Sequence, residues 1–174
     1  NYNMKYIIIA IALITTLSVK AQENFHLTSG EVTWENVYET EKSKEEVIAH
    51  FEKSKLFKIF KVEEGKVFAT LRPQPIDVDR TGIAGVPTIL RKTDFAGKIL
   101  IRFKDNKYRV TYTEIVLVGH GDLIKKGERQ PFELHYVNKD GKAYRKYFLK
   151  RPKTIYNEHF NAIFSIEEAK KEDW

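Results

Sequence analysis

Residues with the potential for metal or acid-base chemistry fall mainly in two glycine-containing stretches that show no regular periodicity. The first stretch contains Asp77-Val78-Asp79-Arg80-Thr81-Gly82, which matches the opening D-x-D-x-x-G of a calcium loop. Such loops need a bidentate glutamate at the twelfth position, and this chain has Thr88 there. The string therefore has two interpretations, an incomplete calcium loop and an ordinary turn held by aspartate side chains.

The histidines are the other candidates for metal or acid-base chemistry. The five of them show neither H-x-x-x-H nor H-E-x-x-H spacing. His120 differs from the others because Gly121 and Asp122 follow it, a context in which it could orient water or a ligand. One hypothesis is therefore a hydrolase-type enzyme with a site on loops 74–93 and 119–133, built from Asp77, Asp79, Arg80, His120 and Asp122.

Several classes of chemistry have no support in the sequence. There is no cysteine, so disulfides, thiol nucleophiles and thiolate metal sites are excluded. The motifs G-x-S-x-G and S-x-x-K, the phosphate-binding loop and the dinucleotide fingerprint do not occur. Our first prediction therefore assigns no catalytic residues, no metal and no cofactor, and the hydrolase stays as the alternative.

The main positioning element is the stretch Phe95–Val118, which is typical of an antiparallel hairpin with a two-residue turn at Asp105-Asn106. This register aligns three apolar pairs on one side, Ile99 with Tyr112, Ile101 with Val110 and Phe103 with Tyr108. The other side is basic and opposes like charges, Arg102 with Arg109 and Lys104 with Lys107. That side is either simply exposed to solvent or in contact with an acidic group.

Further elements precede and follow this hairpin. A strand is predicted over Gly30–Thr40 after a polar lead-in, and a helix over Lys44–Lys55 after a capping box of Ser43 and Glu46. A second hairpin, which turns at Glu64-Gly65, pairs Val62 with Val67 and Phe60 with Ala69, and Pro73 and Pro75 should end it. Loop 74–93 should lie down on the body, Leu134–Val137 is a possible edge strand, and a helix is predicted over Thr154–Ala169 with Pro152 in its first turn.

Together these elements predict an α+β fold, an antiparallel sheet with two helices packed on one face in β-α-β4-α order and with two long loops. The helices should cover Phe60, Val62, Val67, Ala69, Ile99, Ile101, Phe103, Val110 and Tyr112. The opposite side, the free face, presents Ile59, Lys61, Phe68, Thr70, Leu100, Arg102, Arg109 and Thr111. Either a long loop buries this face or it binds something, with Ile59, Phe68, Arg102 and Arg109 as the candidate ligand-binding residues.

The beginning of the chain has the features of a secretory signal peptide. Lys5 precedes an apolar run over Tyr6–Leu17, and Val19-Lys20-Ala21 suits cleavage before Gln22. The run is shorter than the roughly 18 residues that a membrane span needs. We expect a signal peptide over 1–21, one domain over 22–174, no transmembrane anchor after cleavage, and a periplasmic or secreted protein. Loss of Lys5 and Lys20 lowers the formal net charge from +6 to +4.

The chain also resembles a family of exported bacterial proteins that carry a domain of unknown function with a TATA-binding-protein-like (TBP-like) fold. The resemblance lies in VTWENVYET, KSKEEV, LRPQPID, DFAGKILIRFKDNKYRVTYTEI and FLKRPKTIYNEHFNAIF, and it covers nearly all of the chain after residue 21. It implies the β-α-β4-α order and supplies no catalytic residues. A fold name does not bring DNA binding with it.

Three functions remain open. The first is a non-enzymatic envelope domain that binds an acidic protein, a glycan or a lipid head group through the free face and the long loops. The second is the hydrolase described above. The third is an assembly role, in which the free face or an edge strand meets a second copy. The modest charge of an exported chain argues against nucleic acid.

Overall fold

The computed structural model describes residues 24–166. The predicted signal peptide lies outside the described residues. The last helix ends at Phe164 and does not continue to the predicted Ala169, because the backbone of Ser165 is extended. The elements in chain order are β1 Phe25–Thr28, β2 Glu31–Glu39, α1 Lys44–Lys53, β3 Phe57–Glu63, β4 Lys66–Pro75, α2 Thr88–Arg91, β5 Thr93–Lys104, β6 Lys107–Gly119, β7 Arg129–Pro131, α3 Phe132–Tyr136 and α4 Pro152–Phe164. None of the described helices is long and apolar enough to cross a membrane.

The strands form one antiparallel sheet in the order β1-β2-β6-β5-β4-β3, with β7 beside the far end of β6. The predicted registers of both hairpins are confirmed, with Arg102 opposite Arg109 and Val62 opposite Val67. Asp105 and Asn106 both have positive φ, as a two-residue hairpin turn requires. The α+β class with an antiparallel sheet is therefore as predicted.

Two helices cover one face of this sheet. Helix α1 begins with the predicted capping box, in which Ser43 and Glu46 satisfy each other's backbone N–H groups. Its buried residues are Val47 and Phe51, and the Phe51 ring lies 5.9 Å from that of Tyr108 on β6. Burial of these side chains fixes α1 over one half of the sheet.

Helix α4 covers the other half and organises the core. The ring of Phe160 lies 5.0–5.6 Å from the rings of Trp34, Phe95 and Tyr112, which come from three different strands. Trp34 Nε1 donates a hydrogen bond to Asn157 Oδ1 at 2.9 Å, so the helix is held by directional as well as apolar contacts.

Four other local predictions are wrong. Part of the expected polar lead-in is strand β1, because Ser29 and Gly30 both have positive φ and turn the chain back onto β2. The expected edge strand Leu134–Val137 is mostly helix α3, which buries Phe132 and Tyr136 at helical spacing and leaves Leu134 exposed.

The other two concern the second hairpin. Strand β4 runs on through Pro73 to Pro75, because its ladder with β5 is interrupted between Leu71 and Gln74, where a missing N–H costs little. Val62, expected under the helices, is 49% exposed because β3 is the outermost strand.

Candidate functional site

The free face carries regular rows of side chains because all of its strands are antiparallel and in register. One row crosses five strands, namely Lys61, Phe68, Leu100, Thr111 and Glu35. Side chains that oppose one another on neighbouring strands lie about 5 Å apart and interact directly. The free face is therefore a continuous surface.

The first long loop does not cover this face. It packs on the helix side, where Ile76 and Val78 are each 7% exposed and the Asp77 N–H donates to His159 Nδ1 at 3.1 Å. The prediction that the loop lies down on the body is confirmed, and it contains the short helix α2. When only the described residues are considered, Ile59 is 47% exposed and Phe68 is 43% exposed.

The two facing arginines of the free face share one carboxylate. Glu35 Oε2 lies 3.5 Å from Arg102 Nη2, and Glu35 Oε1 lies 3.5 Å from Arg109 Nη1. The Thr111 hydroxyl also donates to Glu35 at 2.8 Å. The carboxylate reaches this position because β2 pairs with β6 and places Glu35 opposite Thr111. The chain itself thus supplies an acidic group that this basic pair can meet.

Other cations of this face have acidic neighbours as well. Lys98 Nζ lies 2.7 Å from Glu114 Oε1, and Lys107 Nζ lies 2.9 Å from Glu39 Oε1. These pairs are exposed, and solvent screening makes such ion pairs contribute little to stability. Their main effect is electrostatic, because they give the face a mixed charge in place of a uniformly basic one.

A bulge breaks the register of the central hairpin. Two residues of β6, Glu114 and Ile115, oppose the single residue Gly97 of β5, and Glu114 has a φ of 47°. A Cβ on Gly97 would lie 2.6 Å from Tyr112 Cε2 and 2.8 Å from the carbonyl oxygens of Thr113 and Glu114. Only glycine fits there without a shift of the backbone.

Beyond the bulge β6 leaves β2 and pairs with β7 instead. The separation opens a cleft of about 740 Å³ on the free face, which we call the bulge cleft. Glu133 at the start of α3 closes part of the gap by accepting a hydrogen bond from the Val32 N–H at 2.8 Å. The polar side chains that line the cleft are Glu31, Thr33, Thr70, Lys98, Thr113, Glu114, Arg129 and Glu133.

The hydrolase candidates form separate pairs on exposed surface. Asp77 accepts a hydrogen bond from the Arg80 N–H at 3.2 Å and pairs with its guanidinium at 3.4 Å. Asp79 pairs with Arg91 at 3.5 Å. The D-x-D-x-x-G string is thus a turn held by an aspartate side chain, and within residues 24–166 no three His, Asp or Glu side chains are grouped to hold a metal.

The second loop holds two more pairs. His120 Nε2 lies 2.9 Å from Asp94 Oδ1, and Lys92 Nζ lies 2.6 Å from Asp122 Oδ2. The hydrogen bond and charge of Lys92 lower the pKa of the Asp122 carboxyl. The charge of His120 also acts on Asp122, but the described contacts join neither residue to Asp77 or Asp79, so they do not place the candidates around a common reacting centre.

The sequence hypotheses did not include Glu35, Glu133 or His159. Glu35 and Glu133 both contact residues that are far from them in sequence, Glu35 through the pairing of β2 with β6 and Glu133 through its hydrogen bond from Val32. His159 is 7% exposed on α4, its Nε2 has no partner among the described residues, and burial lowers its pKa to about 4. The only sequence feature that concerned His159 was its place in the periodic helix 152–164. That periodicity predicts which residues are buried, but it does not assign a function to them.

Comparison with known proteins gives two neighbours in solved structures. No family model and no curated protein matches the chain. A TBP-like protein from Parabacteroides distasonis is 20% identical with a TM-score of 0.47, over 79% of this chain and 88% of that one. A DUF4468 family protein from Bacteroides ovatus is 13% identical with a TM-score of 0.48, over 84% and 94%. These descriptions agree with the resemblance noted in the sequence and name no ligand or activity.

Proposed function

We propose that this chain is an exported domain that binds a ligand without catalysis, through the free face and its bulge cleft. The observation that carries the proposal is the cleft of about 740 Å³, a size typical of ligand sites, on a face that the described loops leave open. The exposed ring of Phe68 lies on the same side of β4 as Thr70, which lines the cleft.

Among an acidic protein, a glycan and a lipid head group, we favour a glycan as the ligand. Threonine hydroxyls and carboxylates in the cleft can bind sugar hydroxyl groups, and an exposed aromatic ring can stack on a sugar face. An acidic protein would be drawn by uncompensated cations, whereas Arg102 and Arg109 already share Glu35.

Titration of the chain from Gln22 onward with soluble neutral and uronic-acid oligosaccharides, followed by calorimetry, tests this function. We expect binding that Phe68→Ala and Thr113→Val each weaken at least severalfold. Val62→Ser is the matched control, because Val62 is 49% exposed against 43% for Phe68, lies on the same hairpin and points to the opposite side. The proposal fails if no oligosaccharide binds, or if Phe68→Ala and Thr113→Val bind as the wild type does.

Export has its own test. N-terminal sequencing of the protein recovered from the envelope and medium of a producing bacterium should begin at Gln22. A chain that retains residues 1–21 in the cytoplasm would contradict the proposal of a cleaved signal peptide.

A further inference from the structure

The positive charge of the protein is concentrated in one segment, residues 139–153. The whole chain has six more Lys and Arg than Asp and Glu, and this segment of seven basic residues and one Asp has the same excess. The remaining residues are therefore formally neutral as a set. Such a local excess is the usual footprint of a surface that meets an anionic partner.

The basic side chains of this segment differ from those of the free face. Lys139, Lys142, Lys146 and Lys150 are exposed and form no ion pair with a described residue. Arg145 donates its hydrogen bonds to backbone carbonyls, which leave its charge uncompensated. The field of the segment is thus directed into solvent.

Large apolar side chains stand exposed among these cations. Leu149 is 49% and Tyr147 41% exposed in the segment itself, and Leu134 on α3 is 56% exposed. The Tyr147 hydroxyl donates to the His135 carbonyl at 2.8 Å, which anchors the ring beside α3. Tyr147, Lys150 and Arg151 line one groove of about 260 Å³, so an aromatic ring and two cations meet in a single concavity.

We propose that residues 139–153, together with Leu134, dock the protein onto a membrane surface that contains anionic lipids. Lysine and arginine would meet the lipid phosphates, while Tyr147, Leu149 and Leu134 would enter the boundary between head groups and acyl chains. A soluble polyanion would use the same cations but would gain nothing from the exposed leucines.

The segment is anchored to the body of the protein by one buried ring. Phe148 is fully buried, with its ring 5.4 Å from that of Phe25 and 5.6 Å from that of Phe132. Phe25 lies opposite Trp34 on the helix side of the sheet, so the segment is also anchored on that side. The proposal rests on the charge and exposure of this segment and does not depend on the proposed function.

Co-sedimentation with vesicles of phosphatidylcholine, with and without phosphatidylglycerol, tests the proposal. The chain from Gln22 onward is used, because Tyr6–Leu17 would bind vesicles by itself and the described core lies within 24–166. Each cation near an anionic surface strengthens binding about fivefold, so Lys146→Gln with Lys150→Gln should weaken it by roughly 25-fold. Leu149→Ser should weaken it severalfold, and added salt should weaken it further.

The matched control is Lys61→Gln with Lys104→Gln, which removes the same charge from exposed positions on the free face and should leave vesicle binding unchanged. Melting temperatures of all variants confirm folding. Equal binding to both kinds of vesicle, or an equal loss in the control, overturns the proposal. Binding to a soluble polyanion such as heparin with no sedimentation on vesicles also overturns it, in favour of a polyanion site.

Discussion

Protonation of His159 is expected to destabilise the folded protein. The side chain lies on α4 beneath the loop that follows β4, and its Nδ1 accepts the hydrogen bond from the Asp77 N–H. Burial is the main reason that its pKa is lowered to about 4; the Asp77 charge opposes this effect and the Arg80 charge adds to it. A proton on Nδ1 would break the hydrogen bond that ties the loop to α4.

The size of the effect follows from the two pKa values. The imidazole titrates near 6.5 in the unfolded chain and near 4 in the folded one, so between these values only the unfolded state binds the proton. Stability from this group is therefore complete above pH 6.5 and falls as the pH falls toward 4. At about 1.4 kcal/mol for each pH unit, the loss is roughly 3 kcal/mol.

Urea unfolding of the wild type and of His159→Gln, followed by the fluorescence of buried Trp34, measures this loss. Glutamine keeps an acceptor for the Asp77 N–H but does not titrate. His50 and His135, whose pKa values burial also lowers, are present in both proteins and cancel in the comparison. The wild type should lose roughly 3 kcal/mol more than the variant between about pH 7 and pH 4. Equal losses in both proteins would refute this explanation.

Three further changes test the packing and the charges of the fold, each by urea or thermal unfolding. Glu35→Gln should cost about 1 kcal/mol because it leaves two facing arginines without their shared carboxylate, and an unchanged midpoint would show that this bridge is idle. Gly97→Ala should cost about 1–3 kcal/mol or more, because the new methyl group meets Tyr112 and two carbonyl oxygens; wild-type stability would contradict the geometry of the bulge. Tyr136→Phe and Tyr156→Phe should each cost about 1–3 kcal/mol, since either leaves a buried hydroxyl unpaired, whereas the double variant should cost less than the sum.

Local sequence features specified much of this fold. The turn at Asp105-Asn106 and the alternation beside it set the register of β5 and β6, because a two-residue turn and a period of two leave a single pairing that buries the apolar side. The capping box at Ser43 also marked the start of α1 from local sequence, since its hydrogen bonds join residues only three positions apart. The secondary structure of short segments was harder to predict, and α3 is an example. In five residues, apolar side chains suit a strand and a helix almost equally well.

The candidate site depended on contacts between segments that are distant in sequence. By itself the sequence determined which side chains share the free face, since that depends on alternation along each strand. Only the tertiary structure placed Glu35 beside Arg102 and Arg109, because the pairing of β2 with β6 sets Glu35 opposite Thr111, which is 76 positions away in sequence. The bulge cleft likewise exists because β6 changes its pairing partner from β2 to β7. Local β-propensity does not specify where along its length a long strand changes its partner.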